Sequence, residues 1–196
     1  MKKWKRQSVL GLDTNVLVYA HRAELPEFGV ARRLISDLLS GKEKVGFTHT
    51  VLHEFIATVT SAGKFSRPST MTEALAQINY WLSAPNASVI NATLDHFETL
   101  SELTKSGDFN GQKIYDAQIA AVCIGNKVSE FLTNDAGFEK FAQLRIRNPF
   151  TGPLKWEPTD EFLVHGDAIV DSDVNAEIAA MYEDMMANDF MTKEED

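Results

Sequence analysis

The chain has a single cysteine, Cys123, so no disulfide can form within it and the framework of a small secreted scaffold is excluded. That thiol lies in the apolar run Ile119 to Ile124, the setting of a buried structural cysteine rather than a nucleophile. No apolar run approaches the roughly 18 residues of a membrane span. Residues 2 to 6 are basic, as the start of a signal peptide would be, but the apolar run behind them is short and contains Asp13. A cytoplasmic protein without membrane association is the expectation. A glycine-rich phosphate loop is missing, and no elbow motif supports a Ser-His-Asp nucleophile. His49 and His53 stand four residues apart beside Glu54, yet a His-Glu-x-x-His zinc motif would need its second histidine at position 57, which is Ala57.

A general excess of positive charge is also lacking, since the formal net charge is -9. The acidity is unevenly placed. Residues 1 to 150 carry 17 Lys and Arg against 15 Asp and Glu, whereas residues 151 to 196 carry 2 against 13. If four acids of the first part serve as metal ligands, the remainder of that part is +6, a balance that suits an anionic polymer. A length of 196 residues with 44% hydrophobic content gives one domain and an appendage. The division expected is a domain over residues 1 to 150 and an acidic extension over residues 151 to 196.

What is present is organised around the stretch Ser8 to Ala20, an apolar run that stops at Asp13, passes through Thr14-Asn15 and resumes as a second apolar run. This pattern predicts a buried parallel strand ending at Leu12 and a helix starting at once. Ligands of open α/β sheets sit just beyond such strand ends. Taken alone, Asp13 reads as the N-cap of that helix. Further helices are predicted from about Glu27 to Ser40, from Thr50 to about Ala62 with Leu52, Phe55, Ile56 and Val59 inward, and from a Thr70/Glu73 capping box to about Ser83. Another is predicted over Leu94 to Lys105 with Leu94, Phe97, Leu100 and Leu103 inward. After the turn signal Asn110-Gly111 comes a helix whose first turn contains Asp116. The opening pattern recurs where a strand over Val128 to Thr133 runs into Asn134-Asp135 and then a helix. With strands near residues 8, 44, 88, 128 and 143, the alternation predicts an α/β fold with a parallel sheet of about five strands between helices.

In that arrangement Asp13 and Asp135 lie at strand ends on one edge of the sheet, Asp116 faces the same edge from a helix start, and Glu54 reaches it from about one turn into its helix. Four carboxylates in one crevice repel one another unless a cation neutralises them. An all-oxygen ligand set without cysteine favours Mg²⁺ or Mn²⁺ over zinc.

Residues Ser8 to Phe150 resemble a PIN domain, most closely the toxin ribonucleases of VapC type. The resemblance rests on Leu12-Asp13-Thr14-Asn15, on Glu54, on Asp116-Ala117-Gln118-Ile119-Ala120-Ala121, on Thr133-Asn134-Asp135 with Phe138, and on Asn148-Pro149-Phe150. It implies a PIN-like fold in which Asp13, Glu54, Asp116 and Asp135 gather around Mg²⁺ or Mn²⁺ to cut single-stranded RNA, with Asn15 and Thr133 as orienting neighbours. It also implies a cognate antitoxin and a homodimer. Gly137 departs from the family pattern, in which a second Asp often occupies that place. Hydrolysis of this kind leaves 5′-phosphate and 3′-hydroxyl ends, because no 2′-hydroxyl takes part. Lys113, Lys64, Arg67, Lys5 and Arg6 are candidates for steering phosphates, and Phe65 or Phe109 for stacking on bases. A binding module that keeps the fold without cleavage is the alternative.

In the acidic extension, Asp173 to Phe190 places Ile178, Met181, Tyr182, Met185, Met186 and Phe190 on one helical stripe. Such a helix would pack on its own domain, or the segment would remain an acidic tail. Alternatively, its run Glu177 to Met185 faintly resembles an antitoxin's carboxyl-terminal helix and would cover a basic RNA path.

Overall fold

The computed structural model describes residues 8 to 105, 107 and 109 to 151. Five short strands, β1 (Val9–Leu12), β2 (Lys44–Thr48), β3 (Ala87–Ile90), β4 (Glu130–Leu132) and β5 (Ile146–Arg147), form one sheet in the order β3-β2-β1-β4-β5. Every neighbouring pair is parallel. Parallel pairing requires crossovers, and these are supplied by helices α1 (Thr14–His21), α2 (Phe28–Ser40), α3 (His49–Val59), α4 (Met71–Leu82), α5 (His96–Thr104) and α6 (Ile114–Gly125). The fold is therefore the α/β arrangement expected from the alternation of apolar runs. The predicted helix over Asp173 to Phe190 lies outside the described residues.

The strands are apolar because they are covered. Leu12, Val45, Phe47, Phe131 and Leu132 are fully buried, and β1 sits at the centre of the sheet between β2 and β4. Leu52, Phe55 and Val59 bury the inner stripe of α3 as predicted, with Phe55 edge-on to Trp81 of α4 at 5.1 Å. The Thr70/Glu73 capping box is formed, its hydroxyl accepting from the Glu73 amide and its own amide donating to the Glu73 carboxylate.

The structure corrects the reading of α5. Leu94 and Phe97 were expected inward but are 110% and 79% exposed, while His96 is buried. The helix begins at His96, after a turn in which the His96 amide donates to the Thr93 carbonyl, so only Leu103 and the half-buried Leu100 keep their expected places. The helix expected after Asp135 is a short 3-10 segment, Ala136–Lys140. The last strand is two residues long and lies at Ile146 rather than near 143. At Asn110-Gly111 the chain does turn, with Gly111 at φ +62°, a conformation that a side chain would disfavour.

Candidate active site

The site begins with register. Leu12 of β1 pairs with Leu132 of β4, so the residues that follow, Asp13 and Thr133, leave the sheet side by side. The Asp13 amide continues the ladder to the Leu132 carbonyl at 2.9 Å, and the Thr133 amide continues it to the Arg147 carbonyl at 3.1 Å. Asp13 then caps α1, accepting from the Thr14 amide at 2.8 Å through Oδ1. Its Oδ2 accepts from Asn15 Nδ2 at 2.6 Å and from the Thr133 hydroxyl at 2.5 Å. The cap reading of Asp13 is thus correct, and it does not exhaust the residue.

Direction in this network is fixed by counting lone pairs. Thr133 Oγ1 accepts from Asn15 Nδ2 at 3.0 Å and from the Asp135 amide at 2.9 Å, which occupies both of its acceptor sites. Its single proton must therefore go to Asp13. Three donors converge on one carboxylate that is only 5% exposed. Burial dominates nonetheless and pushes the Asp13 carboxyl up to about 7; the bonds from Thr133 and Thr14 act against it, and the negative charges of Glu54 and Asp135 add to it. Asn15 is held in turn, its Oδ1 accepting from the Asn134 amide at 3.2 Å. Asn134 Oδ1 accepts from Asn148 Nδ2 at 2.8 Å, which ties the Asn148-Pro149-Phe150 segment to the site.

The other acids take distinct places. Glu54, exposed on α3, accepts from the Thr14 hydroxyl at 2.7 Å, so it stands one residue away from Asp13. Asp135 caps the 3-10 segment through the Gly137 amide at 2.7 Å. Gly137 permits this: a Cβ there would lie 2.9 Å from Asp135 Oδ1. Asp116, half-buried in the first turn of α6, is paired with Lys140 Nζ at 3.2 Å. Asp13, Glu54 and Asp135 are thus joined through Thr14 and Thr133, whereas Asp116 is engaged by a lysine that sequence reasoning did not single out. Among the described residues, no three Asp, Glu, His or Cys side chains converge closely enough to hold a metal ion. The four acids offer oxygen donors alone, the type that suits a hard divalent cation better than zinc. The charge on Asp13 is penalised by burial and by two neighbouring carboxylates, and Asp116 already attracts a positive group.

The remaining candidates are peripheral. Lys113, immediately before α6, and Lys64 and Arg67, in the loop after α3, are exposed. That loop is anchored by buried Arg22, which donates to the Arg67 carbonyl at 2.7 Å and to Ser69 Oγ at 2.9 Å and lies 4.1 Å from the centre of the Phe65 ring. Phe65 packs against the core under that guanidinium, and Phe109 stacks on Phe141 at 6.0 Å. Lys5 and Arg6 lie outside the described residues. His49 Nε2 is hydrogen-bonded to Asn91 Oδ1 at 3.0 Å, and its ring is 6.0 Å from that of His53. Burial pushes the Cys123 thiol up to about 12, which suits a structural cysteine. Arg22 was missed because a buried arginine has no periodic signature; its one local hint is Glu24, two residues on and ion-paired to it at 2.5 Å.

The fold and site together define an α/β domain with a row of carboxylates along the carboxyl edge of a parallel sheet. A family model described as PIN domain matches residues 11 to 144. The chain is 36% identical to the ribonuclease VapC43 of Mycobacterium tuberculosis over 144 residues, which make up 74% of this chain and 97% of that protein. Among solved structures it resembles Mycobacterium tuberculosis VapC20, a sarcin-ricin loop cleaving toxin, with a TM-score of 0.53 at 20% identity over 71% of this chain and 99% of that one. It also resembles VapBC2 of Rickettsia felis, solved on a DNA fragment from its promoter, with a TM-score of 0.52 at 19% identity over 71% of this chain and 98% of that one. The chain belongs to the PIN domain family and, within it, is of VapC type.

Proposed function

We propose that this protein is a Mg²⁺- or Mn²⁺-dependent endoribonuclease that cuts single-stranded regions of RNA and serves as the toxin of a toxin-antitoxin pair. The observation that carries the reading is Asp13. A carboxylate that is buried, fixed by three donors and set beside two further acids is costly to keep unless its charge is used. The ribonuclease names of relatives 36% and 30% identical over most of the chain support the same reaction.

Asp13, Glu54, Asp116 and Asp135 are the residues that would hold the cation. When bound, it would supply Lewis-acid activation of water and neutralise charge at the phosphate. The protein's own part is positioning. Asn15 and Thr133 hold Asp13 Oδ2, Thr14 holds Asp13 Oδ1 through its amide and Glu54 Oε2 through its hydroxyl, and Gly137 lets Asp135 turn back onto its own segment. Orientation of this kind is worth several powers of ten when the attacking and leaving oxygens must be in line. Lys113, Lys64 and Arg67 would draw the RNA backbone to this edge. An antitoxin partner is proposed from the likeness to VapBC2. A homodimer and a cytoplasmic setting are proposed from the resemblance alone.

The second reading, an RNA- or partner-binding module without cleavage, is favoured by one observation, the occupation of Asp116 by Lys140. The test is cleavage of structured and single-stranded RNAs by the purified full chain with Mg²⁺, Mn²⁺ or EDTA, beside Asp13→Asn. Metal-dependent cutting that disappears in the variant supports the nuclease. RNA binding with no cutting under any metal supports the module.

A further inference from the structure

The aromatics singled out in sequence for stacking on bases are engaged elsewhere, Phe65 by Arg22 and Phe109 by Phe141 and Lys140. A different pair stands beside Asp13. Tyr19 lies four residues after Asn15 on α1, so the two side chains share one face with their Cβ atoms about 6 Å apart, and Asn15 is the residue that holds Asp13. The Tyr19 ring meets the Phe150 ring edge-on at 5.2 Å, and both residues are half-buried, packed against the core with part of their surface left to solvent.

Hydrogen bonds of fixed direction lock this pair to the site. The Phe150 amide can only donate, so the Asn148 atom that receives it at 2.8 Å is Oδ1, and Asn148 Nδ2 is what reaches Asn134 Oδ1 at 2.8 Å. Asn134 Nδ2 is thereby left to donate to the Tyr19 hydroxyl oxygen at 3.3 Å, while the Asn134 amide donates to Asn15 Oδ1 at 3.2 Å. Tyr19 accepts in this network, and among the described residues its own proton has no acceptor.

We propose that Tyr19, braced by Phe150, is a nucleobase subsite: an unpaired base of the RNA stacks on the Tyr19 ring, and the phenol proton goes to an acceptor on that nucleotide. This rests on the RNA-cutting reading above. Bases inside a duplex are already stacked on their neighbours, so only an unpaired base can use the ring. Every base has a face to stack, so the subsite selects strandedness and not sequence.

The test is binding of a fluorescein-labelled, mixed-sequence oligoribonucleotide to the full chain in EDTA, read by anisotropy beside an oligomer of equal length made of abasic riboses. Wild type is compared with Tyr19→Phe, Tyr19→Leu and Phe150→Leu. Tyr19→Leu is expected to weaken binding of the intact oligomer about fivefold to a hundredfold and to leave binding of the abasic one within about twofold. Tyr19→Phe keeps the ring and should lose only about twofold to tenfold, and Phe150→Leu, which removes the brace, should show a base-dependent loss of similar size. A merely structural role would weaken both oligomers equally; that result overturns the subsite, as does unchanged binding of the intact oligomer by Tyr19→Leu. The broader reading fails separately. If wild type binds in this base-dependent way but cuts no RNA with Mg²⁺ or Mn²⁺, the subsite stands and the nuclease falls; if wild type binds intact and abasic oligomers equally, the subsite falls whether or not RNA is cut.

Discussion

At the scale of single residues, Asp13 has an acid-base consequence that can be measured without substrate. Its carboxyl ionises near 3.8 when unfolded and near 7 in the folded, metal-free protein. Protonated Asp13 therefore favours folding; that contribution is whole below pH 3.8 and is lost as pH rises through 7. The span corresponds to roughly 4 kcal/mol for this one group. In EDTA, urea unfolding should give a stability that declines between pH 4 and 7, and Asp13→Asn should flatten the decline; equal slopes in the two proteins would refute the account of Asp13. Thr133 makes a second case. Thr133→Val keeps the shape but removes the proton that meets Asp13 and both lone pairs that receive Asn15 and Asp135. It should lower stability by about 1–3 kcal/mol and cleavage by at least about tenfold. Asp13, Asp116 and Asp135 each stand next to a local signal, a strand end or a helix start, whereas Glu54 lies in the middle of α3 and is marked in sequence only by its closeness to the buried stripe Leu52, Phe55 and Val59. Lys140 was not legible: it meets Asp116 across 24 residues, and no period or motif connects them.

At the scale of elements, the strand ends place the candidate site. β1 and β4 lie side by side in register, so two apolar runs far apart in sequence deliver Asp13 and Thr133 to one point. The alternation of strands and helices could be read from apolar spacing, whereas the start of α5 could not. Leu94 and Phe97 fit a helical stripe, but the turn closed by Thr93 moves the helix start to His96, so His96, Leu100 and Leu103 form the inward face and Leu94 and Phe97 stay outside it. The replacement of an expected helix by the segment Ala136–Lys140 leads to a further prediction. A Cβ at position 137 would press on Asp135 Oδ1, the end of a side chain that can rotate, so Gly137→Ala should change stability by no more than about 0.5 kcal/mol. Activity should nonetheless fall severalfold, because Asp135 loses its bond to that amide. A variant that is as active as wild type would show that the Asp135 rotamer is unimportant.

At the scale of the whole molecule, the matched region and the rest of the chain differ in charge. The family match ends at residue 144, so the acidic stretch from residue 151 onward lies outside it. Tethering 13 acids and 2 bases to a part that carries 17 bases and 15 acids lowers the local attraction for RNA whatever form the stretch takes. Removal of residues 160 to 196 should raise cleavage, most at low salt, with the gain shrinking as ionic strength increases. No gain in a truncation that remains folded would show that these residues do not restrain the nuclease. Composition alone revealed this division, since it needs only a count of charges along the chain.

The most direct test of the whole account is endonucleolytic cleavage of RNA by the purified full chain, compared in Mg²⁺, Mn²⁺ and EDTA and in Asp13→Asn. The account predicts cutting with either metal, products bearing 5′-phosphate and 3′-hydroxyl ends, no cutting in EDTA, and a loss of at least about 100-fold in Asp13→Asn. Cleavage that persists in EDTA, or that survives the loss of the Asp13 charge, would contradict it.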